Sequence, residues 1–164
     1  MTEAFNPKSQ AYFFAVDPCD QTQVLNGPNP AARAANCAAA GVPAGFNALS
    51  NQRSFLGYSF GNPFLRNEKS DSFTAGVTLT PTFIPGLTVT ADYVRVVLKN
   101  AISQFSASQV AAACYDASNY PANQFCGLVT RDAAHQLSNI GTTYFNSAKL
   151  RYKGILADVK YRFA

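Results

Sequence analysis

Tryptophan is absent from this 164-residue chain, and methionine and histidine occur once each. Charged residues make up only 13%, about half the usual quarter. Hydrophobic residues reach 48% and aromatic residues 13%, which excludes a disordered chain. With ten Gly and nine Pro, collagen-like and linker classes are excluded as well. No apolar run approaches the ~18 residues that a transmembrane helix needs. Met1 is followed by Thr2-Glu3-Ala4-Phe5-Asn6-Pro7, with neither the basic nor the apolar stretch of a secretory leader, so none is expected.

Other absences narrow the chemistry. The chain has no Gly-x-Ser-x-Gly and no phosphate-binding glycine loop, and the single histidine, His135, has no nucleophile motif nearby. Asp92, Asp116, Asp132 and Asp158 are scattered. No enzyme is expected. Cys19, Cys37, Cys114 and Cys126 lack a close Cys-x-x-Cys element, so neither a metal site nor a cofactor is expected. Five cations (Lys149, Arg151, Lys153, Lys160 and Arg162) are interleaved with apolar residues near the end of the chain. They read as the wet face of a strand, not as a stripe for nucleic acid, which is excluded as a partner.

What remains is Phe, Tyr, Val and Thr in alternation. From Ser72, residues Phe73, Ala75, Val77 and Leu79 fall on one face, and Thr74, Gly76, Thr78 and Thr80 on the other. That period of two predicts a strand over 72–80. Pro81 to Gly86 reads as a short turn, since its prolines cannot donate to a ladder. The return strand, from Leu87 to about Lys99, alternates through Val89, Ala91 and Tyr93. Its phase then slips, with Val94, Val96 and Leu98 apolar and Arg95 charged. A β-bulge near Tyr93 is expected there. A final strand is expected from Ile140 to Phe163, with Ile155, Ala157, Val159, Tyr161 and Phe163 on one face.

The connections are long. Residues 1–70 are expected to be mostly loop, with dense turn chemistry at Asp17-Pro18 and at Asn26-Gly27-Pro28-Asn29-Pro30. Within that stretch Asn29 can cap a short helix that starts at Pro30, carries Cys37 and stops before Gly41. Residues 100–139 form a second long loop, in which Ser106 and Gln109 have capping-box spacing ahead of Val110-Ala111-Ala112-Ala113. The domain reading is thus loop 1–70, hairpin 71–99, loop 100–139 and strand 140–163. Short turns on one side and long loops on the other favour an outer-membrane barrel over a soluble sandwich. The fold class is mainly β: a partial antiparallel transmembrane barrel sheet of about three long strands, with short helices in extracellular loops.

Specific segments carry a family resemblance. Gly61-Asn62-Pro63-Phe64-Leu65-Arg66-Asn67-Glu68-Lys69-Ser70 resembles the Gly-Asn-Pro-x-Leu-x-Pro-Glu-x-Ser segment of TonB-dependent outer-membrane receptors. Phe83-Ile84-Pro85-Gly86-Leu87 is similar to a periplasmic turn of that family. Asp92-Tyr93 with Asn100-Ala101-Ile102 resembles an ascending strand, and Gly154-Ile155 with Tyr161-Arg162-Phe163 the next descending one. Asp17-Pro18-Cys19-Asp20, Asn36-Cys37-Ala38, Cys114-Tyr115-Asp116 and Phe125-Cys126-Gly127-Leu128-Val129-Thr130-Arg131-Asp132 resemble extracellular loop pieces. Two positions depart from the pattern: Asn67 stands for the usual proline, and Leu156 stands where many relatives carry an acid.

The resemblance implies part of a receptor barrel in a Gram-negative outer membrane, for energy-coupled uptake of an iron chelate, a vitamin or an oligosaccharide. The implied partners are outer-membrane lipid, the remainder of the barrel with its plug, TonB through that plug, and the small nutrient. No plug domain or TonB box is recognised in the sequence. Lipid would meet Phe73, Val77, Leu79, Val89, Val159 and Tyr161. Candidate ligand-facing aromatics are Tyr12, Phe13, Phe14, Tyr115, Tyr120 and Phe125, for which loop packing is the other role. The alternative reading is a soluble, secreted, disulfide-stapled β-domain that binds a glycan or a protein.

Four cysteines allow three pairings, and two loop-stapling disulfides suit an oxidising compartment. Cys19–Cys37 and Cys114–Cys126 are expected, because each closes a single loop, worth up to about 3 kcal/mol. Crossed pairings would have to link two loops across the sheet.

Overall fold

A computed structural model describes residues 2–163. The chain divides into two units, Met1–Leu65 with Gln104–Phe145, and Arg66–Ser103 with Asn146–Ala164.

The first unit holds the loops. A single helical turn, α1 (Thr2–Phe5), precedes β1 (Ser9–Phe13). Helix α2 (Pro30–Ala39) starts as its sequence dictates: the Asn29 side chain accepts from the Ala32 N–H, and Pro30 takes the first position. Gly41, at φ +79°, follows its end in the left-handed region. Strand β2 (Phe55–Ser59) pairs antiparallel with β1, from Ser9↔Ser59 to Phe13↔Phe55. Neither short strand is announced by period-two alternation, so both lay inside the segment read as loop. Helix α3 (Ala107–Tyr115) opens with a complete capping box, in which Ser106 Oγ accepts from Gln109 N and Gln109 Oε1 from Ser106 N. A 3₁₀ turn (Cys126–Leu128), β5 (Val129–Arg131) and β6 (Leu137–Thr142) complete a sheet of order β1-β2-β6-β5.

The buried core of this unit lies in two clusters. One gathers Cys19, Cys37, Val42, Phe46, Ala48, Cys114 and Tyr115; the other gathers Ala15, Ala107, Ala111, Leu137 and Ile140. Disulfides join Cys19 to Cys37 and Cys114 to Cys126, the pairing that loop closure favoured.

The second unit is a three-stranded sheet, β3 (Lys69–Leu79), β4 (Leu87–Gln104) and β7 (Tyr144–Tyr161), ordered β3-β4-β7. The turn between β3 and β4 closes at Gly86, whose φ of +86° suits glycine. Its carbonyl accepts the Arg162 N–H at 2.9 Å, and a Cβ there would meet the Arg162 carbonyl oxygen at 2.5 Å.

Two sequence expectations are corrected. The β3–β4 register runs unbroken from Lys69↔Lys99 to Leu79↔Val89, so no bulge interrupts that ladder at Tyr93. The irregular residue of β4 is Asn100, at φ +56°, beyond the end of that ladder. The apolar residues therefore change face at Val94 while the strand keeps its register. The long final strand is in fact two. Residues 140–142 belong to β6 in the first unit, and the chain leaves that sheet at Thr143 before β7 begins.

Candidate ligand-capture surface and barrel face

In the loop unit, buried ion pairs fix segments that are far apart in sequence. Arg131 makes a bidentate pair with Asp17: Nη1 donates to Oδ2 at 2.8 Å and Nη2 to Oδ1 at 2.7 Å. Its Nε donates to Tyr115 Oη at 2.7 Å, its Nη1 to the His135 carbonyl at 2.6 Å, and its guanidinium lies 4.9 Å from the Tyr115 ring centre. Burial works to lower the Arg131 pKa, but the Asp17 hydrogen bonds and charge outweigh it and raise it. Arg33 on α2 grips Asp116 in the same way, Nε to Oδ1 at 2.5 Å and Nη2 to Oδ2 at 2.6 Å. Burial would raise the Asp20 carboxyl. Donors from Thr22 Oγ1 (2.6 Å), Ala48 N (2.8 Å) and Thr22 N (2.8 Å) hold it below the usual range instead.

These contacts sort the candidate aromatics. Tyr115 is buried under Arg131 and stacks on Tyr120 at 5.6 Å, so it offers no surface. Tyr120 is half-buried, and desolvation raises its hydroxyl pKa first, with the Tyr115 charge adding to that. Phe125 is half-buried too, in a triple cluster with Phe105 (5.5 Å) and Phe145 (4.8 Å). Phe13 is half-buried, whereas Tyr12 and Phe14 stand exposed, at 76% and 66%. Phe13 and Phe14 line a cleft of about 350 Å³ with Gln104, Phe105, Ser106 and Gln109. Apolar rings beside two amide side chains and a hydroxyl suit a small ligand with both apolar and hydrogen-bonding groups. The sequence reading missed Phe105 and Gln104. Their signal was the adjoining capping box, which marks where the strand gives way to a helix.

In the second unit the two faces differ. Phe73, Val77, Leu79, Val159 and Tyr161 are all exposed, and Val89 is half-buried. The register sets Ala75 opposite Tyr93, Val77 opposite Ala91 and Leu79 opposite Val89, so these share a face. The Arg162–Gly86 bond aligns even-numbered residues of β7 with even-numbered residues of β4. Ile155, Ala157, Val159 and Tyr161 therefore continue the same apolar face. The opposite face carries Thr78 and Thr90, whose hydroxyls lie 3.3 Å apart, together with Asp92, Asp158 and Lys160. Toward the end away from the Pro81–Gly86 turn this face becomes charged on all three strands: Asp71 follows Phe73, Arg95, which pairs with Phe73, follows Tyr93, and Lys153 follows Ile155. Phe73 and Tyr93 meet there, ring centres 6.4 Å apart.

Comparison with known proteins agrees with this geometry: a family model described as "TonB dependent receptor-like, beta-barrel" matches residues 4–164. The chain belongs to the TonB-dependent receptor β-barrel family. No curated protein and no solved structure matches it. TonB-dependent receptors form an outer-membrane transporter family, not an enzyme family. The sheet is that of a partial barrel, with β3 and β7 as its outer strands among the described residues.

Proposed function

We propose that this chain forms part of the wall and the extracellular surface of an outer-membrane receptor, in a Gram-negative bacterium, that imports a scarce nutrient with energy coupled through TonB. The nutrient class is an iron chelate, a vitamin or an oligosaccharide. The observation that carries the reading is the one-sided apolar band on β3, β4 and β7. From Ile155 to Tyr161, where β7 ends, it spans roughly 20 Å of strand at about 3.3 Å per residue. At a tilt near 40° that is about 15 Å of height, which fits within the apolar band about 25 Å tall on outer-membrane barrels. An aromatic pair at its upper margin, Phe73 with Tyr93, is what such a band carries at the interface.

The band faces lipid through Phe73, Val77, Leu79, Val89, Val159 and Tyr161, and the polar face lines the lumen. The edges of the sheet pair with the remainder of the barrel, since a bilayer gives unpaired strand edges no hydrogen-bond partner. A soluble β-domain would instead keep its edge strands polar, and β3 and β7 carry Val77 and Val159 exposed. Tyr12 and Phe14 are the ligand-facing aromatics, beside the Phe105 cleft. A plug within the barrel would gate passage and meet TonB.

Removal of the gene tests this. Accumulation of one labelled substrate among an iron chelate, cobalamin and an oligosaccharide should be lost, and a protonophore should abolish the same accumulation. Unchanged uptake of all three would overturn the reading.

A further inference from the structure

The apolar residues of β4 change face at Val94, and the face they leave becomes cationic. Above Phe73 and Tyr93 the outward face presents Arg95, Lys99, Lys149 and Arg151 around a groove of about 280 Å³. All four are exposed. One carboxylate, Asp71, stands among them and binds Lys99 Nζ at 2.7 Å. Among the described residues, no carboxylate lies within ion-pair distance of Arg95, Lys149 or Arg151. Phe73 and Val97 form the apolar floor of the groove, continuous with the band below.

Solvation alone does not account for this arrangement. Four cations from two neighbouring strands converge on one concavity with a single carboxylate, Asp71, which leaves three positive charges in excess. It lies at the end of the sheet away from the Pro81–Gly86 turn, directly at the margin of the apolar band. A ligand there would have its anionic group among the cations and its hydrocarbon against Phe73, Ala75 and Val77. Guanidinium groups suit phosphate oxygens in particular, because they donate in a fixed fork.

We infer that this groove binds the phosphate-bearing headgroup of a membrane lipid, whose acyl chains lie along the apolar band. The inference rests on the reading of that band as lipid-facing. The site is thus a lipid anchor on the outer wall, separate from nutrient capture.

The test uses the protein that carries these residues at its native length, inserted into phosphatidylcholine vesicles that contain either phosphatidic acid or diacylglycerol. Lipid retained after detergent extraction is counted by native mass spectrometry. Phosphatidic acid should be retained and diacylglycerol lost. Arg95→Gln, Lys99→Gln, Lys149→Gln and Arg151→Gln should each weaken retention about fivefold. Lys160→Gln on the opposite face should change nothing. Millimolar inorganic phosphate should fail to displace the lipid.

Insertion without a preference for phosphatidic acid would overturn the headgroup site and leave the barrel reading standing. Displacement by inorganic phosphate would make this a free-anion site and overturn the lipid assignment. Failure to insert at all would overturn both. Because the four substitutions lie on an exposed face, the double variant Arg95→Lys with Arg151→Lys serves as a check that keeps charge. It should retain binding more weakly than the parent but above the glutamine variants, and equality with the glutamine variants would contradict a role for charge.

Discussion

Arg131 and Asp17, 114 residues apart, form a two-pronged pair in which the Asp17 side chain has no exposure at all. That one contact ties the loop before α2 to the end of β5. Such a carboxylate cannot be left alone without a large penalty. Arg131→Met should cost about 3–5 kcal/mol, read as a lower urea midpoint. Arg131→Lys should recover only part, since an ammonium lacks the planar fork. Adding Asp17→Asn to Arg131→Met should regain some of the loss, because the buried charge is then gone.

The disulfides make a chemical prediction. Peptide mapping without reductant should recover Cys19 linked to Cys37 and Cys114 linked to Cys126. A Cys19–Cys114 or Cys37–Cys126 peptide would contradict it. Each bond closes a loop of 18 or 12 residues and should contribute up to about 3 kcal/mol.

Asp20 predicts an acid limb. Its folded pKa lies below its ordinary value, so its contribution is fully present above about pH 4. The contribution is lost as the pH falls through the lowered folded pKa. Stability measured across that range should drop on acidification, and Asp20→Asn should flatten the drop. The same substitution should cost about 1–3 kcal/mol at neutral pH, because an amide cannot satisfy three donors as a carboxylate does.

The two faces of the sheet should respond differently to charge. Val77→Arg or Val159→Arg should cost about 2–4 kcal/mol if these positions lie near the bilayer midplane. Thr78→Arg and Lys160→Glu should cost much less. The comparison belongs in a refolding titration in detergent or lipid, and equal costs at all four would contradict the assignment of faces.

Much of this was legible from local rules. The run from Phe73 to Leu79 needs only period-two alternation, and the caps at Asn29 and Ser106 need only short-range hydrogen bonding. The β1–β2 pair was not legible, because Ser9–Phe13 and Phe55–Ser59 are five residues each and gain their order from each other across the chain. The phase change at Val94 was visible but read as a bulge. A slip in register and a change of surroundings leave the same trace in sequence, and only the partner strand separates them. Tyr115 looked like any loop aromatic, since nothing in sequence brings Arg131 over its ring. The break at Thr143 was hidden for a related reason, as β6 and β7 follow one another with only that residue between them and are told apart by their partners.

The central claim is that one face of this sheet meets lipid. The direct measurement places single tryptophans along β7, at positions 155 to 160, in the protein reconstituted with brominated-chain lipid. These 164 residues contain no tryptophan, and the signal of each introduced residue is read as the difference from the parent protein. The account predicts strong quenching at 155, 157 and 159 and weak quenching at 156, 158 and 160. Uniform quenching, or none, would contradict it.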